Sequence, residues 1–409
     1  MPIETVIIGA GQAGLALSRV LTSAGRPHVV LERGRIGERW RSERWESLRL
    51  LTPNWLNRLP GAPALPDPDG YLDRRGIVGH LDAYAAGAPV HERTTVLSVR
   101  RSRRGHLVVT DAGEWHARNV VIATGDCDLP RVPAIATTAP PFLDQLHATG
   151  YRRSAELPEG GVLVIGAGPS GQQIAAELRR AGRDVVLAAG RHARMPRTYR
   201  GRDVFAWLHA TGQLDDHVDH VPDLEAARRA ASFPVSGANG GEALGLERLA
   251  ALGVTVAGRL EGFAGDHAVF ADNLPRDMAD ADRRLLRSLA LFDAYISLAR
   301  VDAPAAEPAT AVAVGAGPPR LDLRGRVSTA IWATGYRRSY PWLDEPVLDA
   351  NGELVHRQGV TAVPGLFALG LRFQRTRRSH FLGGVGDDAA QIARAIVARE
   401  RGVRLERVA

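Results

Sequence analysis

An α/β fold assembled from two similar parallel-sheet units is what the sequence predicts, and two stretches carry that expectation. Val6-Ile7-Ile8 is an unbroken apolar run that stops at Gly9-Ala10-Gly11-Gln12-Ala13-Gly14. Val162-Leu163-Val164-Ile165 is another, and it stops at Gly166-Ala167-Gly168-Pro169-Ser170-Gly171. Each is followed by a helical spacing, a closing glycine (Gly25, Gly182) and a further apolar run, Val29-Val30-Leu31 or Val185-Val186-Leu187. Strand, glycine loop, helix, strand is the βαβ unit that binds dinucleotides. One glycine loop alone is a weak signal. Two complete units, their loops 157 residues apart (166 minus 9), are a strong one in a chain of 409 residues. The expected fold class is therefore α/β with two Rossmann-like dinucleotide-binding domains.

Within the first unit each glycine has a task. Gly9 permits the tight turn, Gly11 lets a pyrophosphate approach bare backbone, and Gly14 lets the helix pack closely on the strand. Gln12 and Ala13 open the helix, whose unpaired N–H groups and partial positive charge favour phosphate. Glu32 closes the second strand and can accept a hydrogen bond from a ribose hydroxyl; Arg33 follows it. Gly166, Gly168, Ser170 and Gly171 are the candidates in the second unit. There the acid is missing: the offset that reaches Glu32 in the first unit (18 residues past the last glycine, 32 minus 14) reaches Ala189 in the second. Gly190 then leads into Arg191, His192, Arg194 and Arg197. A carboxylate repels a 2′-phosphate, whereas a guanidinium pairs with it, so the second site is expected to prefer NADPH over NADH.

Composition narrows the class. The apolar fraction of 45% and charged fraction of 24% are those of an ordinary globular protein. No apolar run reaches the roughly 18 residues of a membrane helix, and no basic-then-apolar leader is visible, so no membrane span and a cytoplasmic location are expected. The single cysteine, Cys127, excludes an internal disulfide, a CxxC redox pair and a zinc knuckle. The net charge of +7 suggests nucleic-acid binding at first sight, but all 52 basic residues are Arg, they are scattered, and 45 acids accompany them. That pattern reads as compositional bias, and no nucleic-acid partner is expected. The histidines show no metal-ligand spacing, and no metal is expected.

The rest of the chain follows in order. Ile36 to Arg41, with Trp40 and Arg41 as candidates to line a cofactor, leads into Trp45, Leu48, Leu50 and Leu51. Pro53 to Gly70 is too long and apolar for a turn and reads as an ordered excursion covering something. Gly76 to Tyr84 reads as a helix. Val96–Val99, Leu107–Thr110 and Trp115–Ala117 alternate like a small antiparallel meander. Val120 to Ala123 is a buried strand ending on Thr124-Gly125. In the second half, 204–208, 224–231, 246–252 and 279–298 have helical spacing, while 254–257 and 268–270 read as strands. Residues 303–319 read as a surface crossing. Ala333-Thr334-Gly335 repeats the earlier Ala-Thr-Gly ending, 365–370 is a short core strand, and 386–398 is a closing helix. Asp387 and Asp388 stand in its first turn, where negative charge is favoured.

Two glycine loops, Ala123-Thr124-Gly125 between them and Ala333-Thr334-Gly335-Tyr336 near the end resemble the flavin-containing monooxygenases over nearly the whole chain. Gly37 to Trp40 resembles the family's Gly-Gly-x-Trp segment with Ile36 at its first glycine. Leu48 to Pro53, with Leu59-Pro60, resembles the plant auxin-forming members. The resemblance implies FAD on the first loop and NADPH on the second. It places residues 1–157 and 325–409 in the FAD domain and 158–324 in an inserted NADPH domain. It implies oxygenation of a small organic substrate by dioxygen through a C4a-(hydro)peroxyflavin, at nitrogen, sulfur or a carbonyl, by a monomer or homodimer. The closing helix would present its N-terminus, with Asp387, to the flavin. Two departures stand out. Pro141, Leu143, His147 and Tyr151 occupy the family's identifying segment and only the last two match, and Leu51 stands where many members have Asn. Trp55, Leu56, Phe233, Phe373 and Phe381 are the expected pocket lining. The rival readings are an NADPH-driven reductase that passes electrons to a quinone or partner protein, and a non-catalytic flavin-binding protein.

Overall fold

The first loop is flanked by strands that are apolar on both faces, because both faces are covered: Ile7 and Val30 pack with helix residues such as Leu17 and Ile392, and Val6 and Ile8 pack with Val99, Val108 and Leu343. In the computed structural model, which describes residues 2–306, 314, 315 and 317–400, Pro2–Ile8 pairs in parallel with His28–Leu31 on one side and with Gly113–Ile122 on the other. Val90–His91 extends the sheet beyond His28–Leu31, and Leu366–Ala368 lies beside the end of Gly113–Ile122. The second sheet repeats the order of the first four of these strands. Gly161–Ile165 takes the central place, with Val185–Ala188 and then Thr255–Ala257 on one side and Val327–Trp332 and then Asp144–His147 on the other, all parallel. Both units thus have five parallel strands, four of them in the same order; the fifth comes last in the chain in the first unit (Leu366–Ala368) and first in the second (Asp144–His147), and the second unit lies within the chain span of the first.

The repeat extends further than the loops. In the first unit Val96–Ser102, Gly105–Thr110 and Gly113–Ile122 form an antiparallel meander whose last strand runs on into the parallel sheet. In the second, Leu260–Ala264, His267–Phe270 and Arg320–Asp322 form the corresponding meander, and Val327–Trp332 follows separately. The sequence division at 157 and 324 does not coincide with the sheets. Asp144–His147 precedes 157 and Val327–Trp332 follows 324, yet both are strands of the second sheet. The chain returns to the first sheet only at Leu366–Ala368.

Helix Gln12–Ser23 packs against the closing helix Val385–Glu400, and Pro169–Arg180 covers the second sheet. Leu274–Leu298 is longer than its spacing indicates: Pro275 lies in its first turn, where a missing N–H is harmless. Its buried stripe is Leu274, Asp277, Ala281, Leu285, Leu289, Phe292 and Ile296. The expected crossing 303–319 lies partly outside the described residues. No helix among the described residues is long and apolar enough to cross a membrane.

Candidate active site

The two glycine loops have the same geometry. Gly9 and Gly166 adopt φ of +107° and +114°, which only glycine takes without strain. A Cβ on Gly14 would stand 1.9 Å from the Gly9 carbonyl oxygen, and one on Gly171 1.9 Å from the Gly166 carbonyl oxygen. Space for a Cβ is open at Gly11 and Gly168, so each loop presents bare backbone where a pyrophosphate would lie. Each loop also abuts an Ala-Thr-Gly strand end: Gly9 lies against the Ala123 carbonyl and Gly166 against the Ala333 carbonyl. Thr124, Gly125, Thr334 and Gly335 therefore sit at corresponding strand ends. Thr334 donates to the Arg131 carbonyl and holds the crossover between the sheets. His147, held neutral by burial, is tied to the same crossover through the Gly335 carbonyl at 3.0 Å.

Glu32 follows the strand His28–Leu31 and stands beside the first loop. Its carboxylate accepts from Ala10 N–H at 2.7 Å and from Gly34 N–H at 2.9 Å, which fixes both oxygens. Arg33 reaches out to Asp128. Arg41 is committed to the Ile36 carbonyl and Asp82, whereas Trp40 lies on the wall of a cavity. At the start of the closing helix, Asp387 is exposed and paired with Arg378 at 3.1 Å. Its neighbour Asp388 turns inward, 1% exposed. Burial pushes the Asp388 carboxyl up to about 6, against Ser379 and Arg375.

The sign for Asp388 is that of a carboxyl raised in the folded state. Its contribution to stability is present below the usual carboxylate range and is lost as pH rises through about 6. The loss is on the order of 2–3 kcal/mol. An Asp388→Asn variant is expected to match the parent in thermal midpoint near pH 4 and to exceed it near pH 8. Parallel melting curves that never diverge would refute the assignment.

A cavity of about 1150 Å³ joins the two units, from Gln12 at the first loop to Arg191, His192 and Arg194 beyond the second sheet. Leu50, Leu51 and Thr52 from the excursion line it, as do Phe233, Phe373 and Phe381. Trp55 and Leu56 do not. Trp55 packs on His209 with ring centroids 5.5 Å apart, and Leu56 is buried in the core beside Met195 and Phe205. Leu51, at the position where many similar sequences have Asn, is on the wall, and Asn57, five residues downstream of Thr52, also faces the cavity while bonded to Thr52.

The residues beyond the second sheet have distinct roles. His192 is buried, held neutral, and bonds the Gly190 carbonyl through Nδ1 at 3.0 Å. Arg194 is matched by Glu247 at 3.1 Å and Asp282 at 2.5 Å. Arg191 has new neighbours that the sequence reading missed, Arg284 and Arg287 of the long helix, all three on the cavity wall. Arg284 donates to the His192 carbonyl at 2.8 Å. Burial lowers its pKa, Arg287, Arg191 and Arg283 lower it further, and Asp277 opposes them. Their spacing on one helix face was visible, but an arginine pair has no contrast in a chain whose every basic residue is arginine. The segment 141–151 is a sheet edge. Leu143, His147 and Tyr151 are buried, Pro141 is exposed, and Tyr151 donates to Glu177 of the second-loop helix at 2.7 Å.

Residues 6–211 match the model of the pyridine nucleotide-disulphide oxidoreductases. The chain belongs to that family. The family name does not describe a dithiol here, because Cys127 is the only cysteine. A relative from Geobacillus kaustophilus (strain HTA426), named an uncharacterized CzcO-like oxidoreductase, is 32% identical over 401 residues, 97% of this chain and 98% of its own. The indole-3-pyruvate monooxygenase YUCCA1 of Oryza sativa subsp. japonica is 33% identical over 187 residues, 43% of this chain and 45% of its own. Among solved structures, a flavin-containing monooxygenase from Stenotrophomonas maltophilia superposes with a TM-score of 0.65 at 22% identity, covering 97% of this chain and 99% of that one. The bacillithiol disulfide reductase Bdr of Bacillus cereus superposes with a TM-score of 0.61 at 14% identity, covering 98% and 100%. At these identities the structural likeness establishes the two-dinucleotide-domain fold of this pyridine nucleotide-disulphide oxidoreductase.

Proposed function

We propose that the chain is an NADPH-dependent FAD monooxygenase acting on a small organic molecule. The observation that carries this reading is a continuous cavity running from Gln12 at one glycine loop to Arg191 beyond the sheet of the other. Two dinucleotides, each with its pyrophosphate on its own loop, would meet there. FAD fits the first loop: open backbone at Gly11, helix N-terminus behind it, and Glu32 held by two amides at the ribose position. NADPH fits the second, where Arg191, Arg284 and Arg287 stand without a carboxylate partner among the described residues and a 2′-phosphate supplies the missing charge. On this reading the first sheet with its C-terminal return serves FAD and the second sheet serves NADPH. The names of the plant relatives and of the Stenotrophomonas structure support oxygenation over simple reduction.

Bound flavin supplies the two-electron and dioxygen chemistry. The chain's own part is to bind, orient and keep water out. The aromatic and aliphatic wall of Leu51, Phe233, Phe373 and Phe381 provides the dry surface. The balance is one NADPH, one dioxygen and one proton consumed per oxygen atom inserted, with NADP⁺ and water released. Purified protein should be yellow, release FAD on denaturation, and bleach with NADPH in the absence of air. With isotopically labelled dioxygen, product should carry one labelled oxygen atom. A colourless protein that takes up no FAD would refute the reading. Complete conversion of NADPH electrons to hydrogen peroxide or quinol, without labelled product, would favour the reductase.

A further inference from the structure

The charges on the cavity wall bear on what the cavity takes, an inference that rests on the oxidoreductase reading above. Seven arginines line it, and among the described lining residues there is no Asp or Glu. Arg194 is matched by Glu247 and Asp282, and Arg377 by Asp216 at 2.7 Å. Arg191, Arg284 and Arg287 gather at the second-sheet end, where a cofactor phosphate answers them. Arg229 lies on the exposed helix Leu224–Arg229.

Arg372 is in a different position. It follows the first-sheet strand Leu366–Ala368, at the end of the cavity that carries Phe373, His380 and Phe381. Its Nη2 donates to the Ala230 carbonyl at 3.1 Å, while its Nε is buried without a partner. Burial pulls its pKa down; Asp126 opposes this and Arg338 adds to it. One oxygen of the Asp126 carboxylate is taken by Arg338 at 2.6 Å, and the other is buried without a hydrogen bond to Arg372 or to any other described side chain. His380 next to it is held neutral, pushed down to about 3 by burial, and so supplies no charge of either sign. Arg372 is half-buried, with its Nε shut away from solvent and from any hydrogen-bond acceptor and with Asp126 shared with Arg338, so an anion in the cavity would complete it. A protonated amine brought to the same place would add a second uncompensated cation.

We infer that the molecule oxidised is an apolar organic acid, its carboxylate paired with Arg372 and its hydrocarbon part against Phe233, Phe373 and Phe381. A planar guanidinium can hold a carboxylate through two parallel hydrogen bonds, which also sets the orientation of the rest of the molecule.

The test uses the flavin-loaded protein and three probes of one shape and different charge: phenylpropanoate, phenylpropanamide and phenylpropylamine, titrated calorimetrically at low salt. The acid is expected to bind roughly tenfold or more tightly than the amide, with no measurable binding of the amine. Arg372→Gln should bring the acid down to the level of the amide with its FAD content intact, and Arg372→Lys should keep part of the preference. Flavin content and anaerobic bleaching by NADPH are read on the same samples, and their absence in the parent would overturn the oxidoreductase reading instead. With both present, three results would each overturn the carboxylate assignment: failure of the acid to bind more tightly than the amide and the amine, an acid preference that survives Arg372→Gln, or loss of FAD in that variant.

Discussion

A Gly171→Ala variant should purify yellow and yet be reduced by NADPH only at much higher concentration, while Gly14→Ala should lose the flavin itself. The two substitutions add the same methyl group in the same geometry, 1.9 Å from a loop carbonyl oxygen in each case. Neither carbonyl can retreat. Gly9 is pressed on the Ala123 carbonyl and Gly166 on the Ala333 carbonyl, so each loop is held between its helix and a strand end. The helix must move outward instead, and with it the N–H groups that would face the pyrophosphate. Overpacking of this kind costs on the order of 1–3 kcal/mol. Directed at the cofactor site, that is a loss of roughly 10- to 100-fold in affinity. The measurement is FAD per chain after gel filtration, together with anaerobic reduction rate against NADPH concentration. If both variants lost the same cofactor, the assignment of one dinucleotide to each loop would fail.

These loops were legible in the sequence because their mechanism is local. A turn, a close approach and a helix start fall within six residues, and no distant contact is needed to read them. The closing apolar strands and the three-stranded meander were legible for the same reason. Sheet membership was not. Val327–Trp332 and Leu366–Ala368 are both short apolar runs near the C-terminus, and only the tertiary pairing places the first in the second sheet and the second in the first. The long helix was under-read at its start because Pro275 breaks a periodic pattern without breaking a first turn. At the site, Phe233, Phe373 and Phe381 were found from their apolar character, but Trp55 and Leu56 share that character and pack elsewhere. Asp387 and Asp388 are indistinguishable in sequence, and one helical step of about 100° decides which carboxylate is solvated and which is buried. Arg194 and Arg284 show the same limit: acids 53 and 88 residues away form ion pairs with the first, and no acid among the described residues does so with the second.

Replacing Arg284 and Arg287 together by Gln should cut kcat/KM for NADPH by about two orders of magnitude and leave that for NADH nearly unchanged. The two coenzymes differ only in the 2′-phosphate, so only groups that meet it can separate them. Arg191 leaves the second-sheet strand end on the side where an adenosine ribose would lie, and Arg284 is fixed there by its bond to the His192 carbonyl. Beyond the effect of burial, Arg287, Arg191 and Arg283 each pull the Arg284 pKa down, so the cations repel one another and an anion among them would offset that repulsion. Arg194→Gln is the control. It leaves Glu247 and Asp282 facing each other without their cation, so it should lower thermal stability but not the NADPH-to-NADH ratio. Rising salt should shrink the ratio in the parent and have little effect on it in the double variant, because screening acts on the phosphate contact and not on the shared remainder of the coenzyme. Should Arg194→Gln abolish the preference while the double variant keeps it, the 2′-phosphate would have to lie on the acid-flanked side, and the coenzyme's path across the second sheet would have to be redrawn.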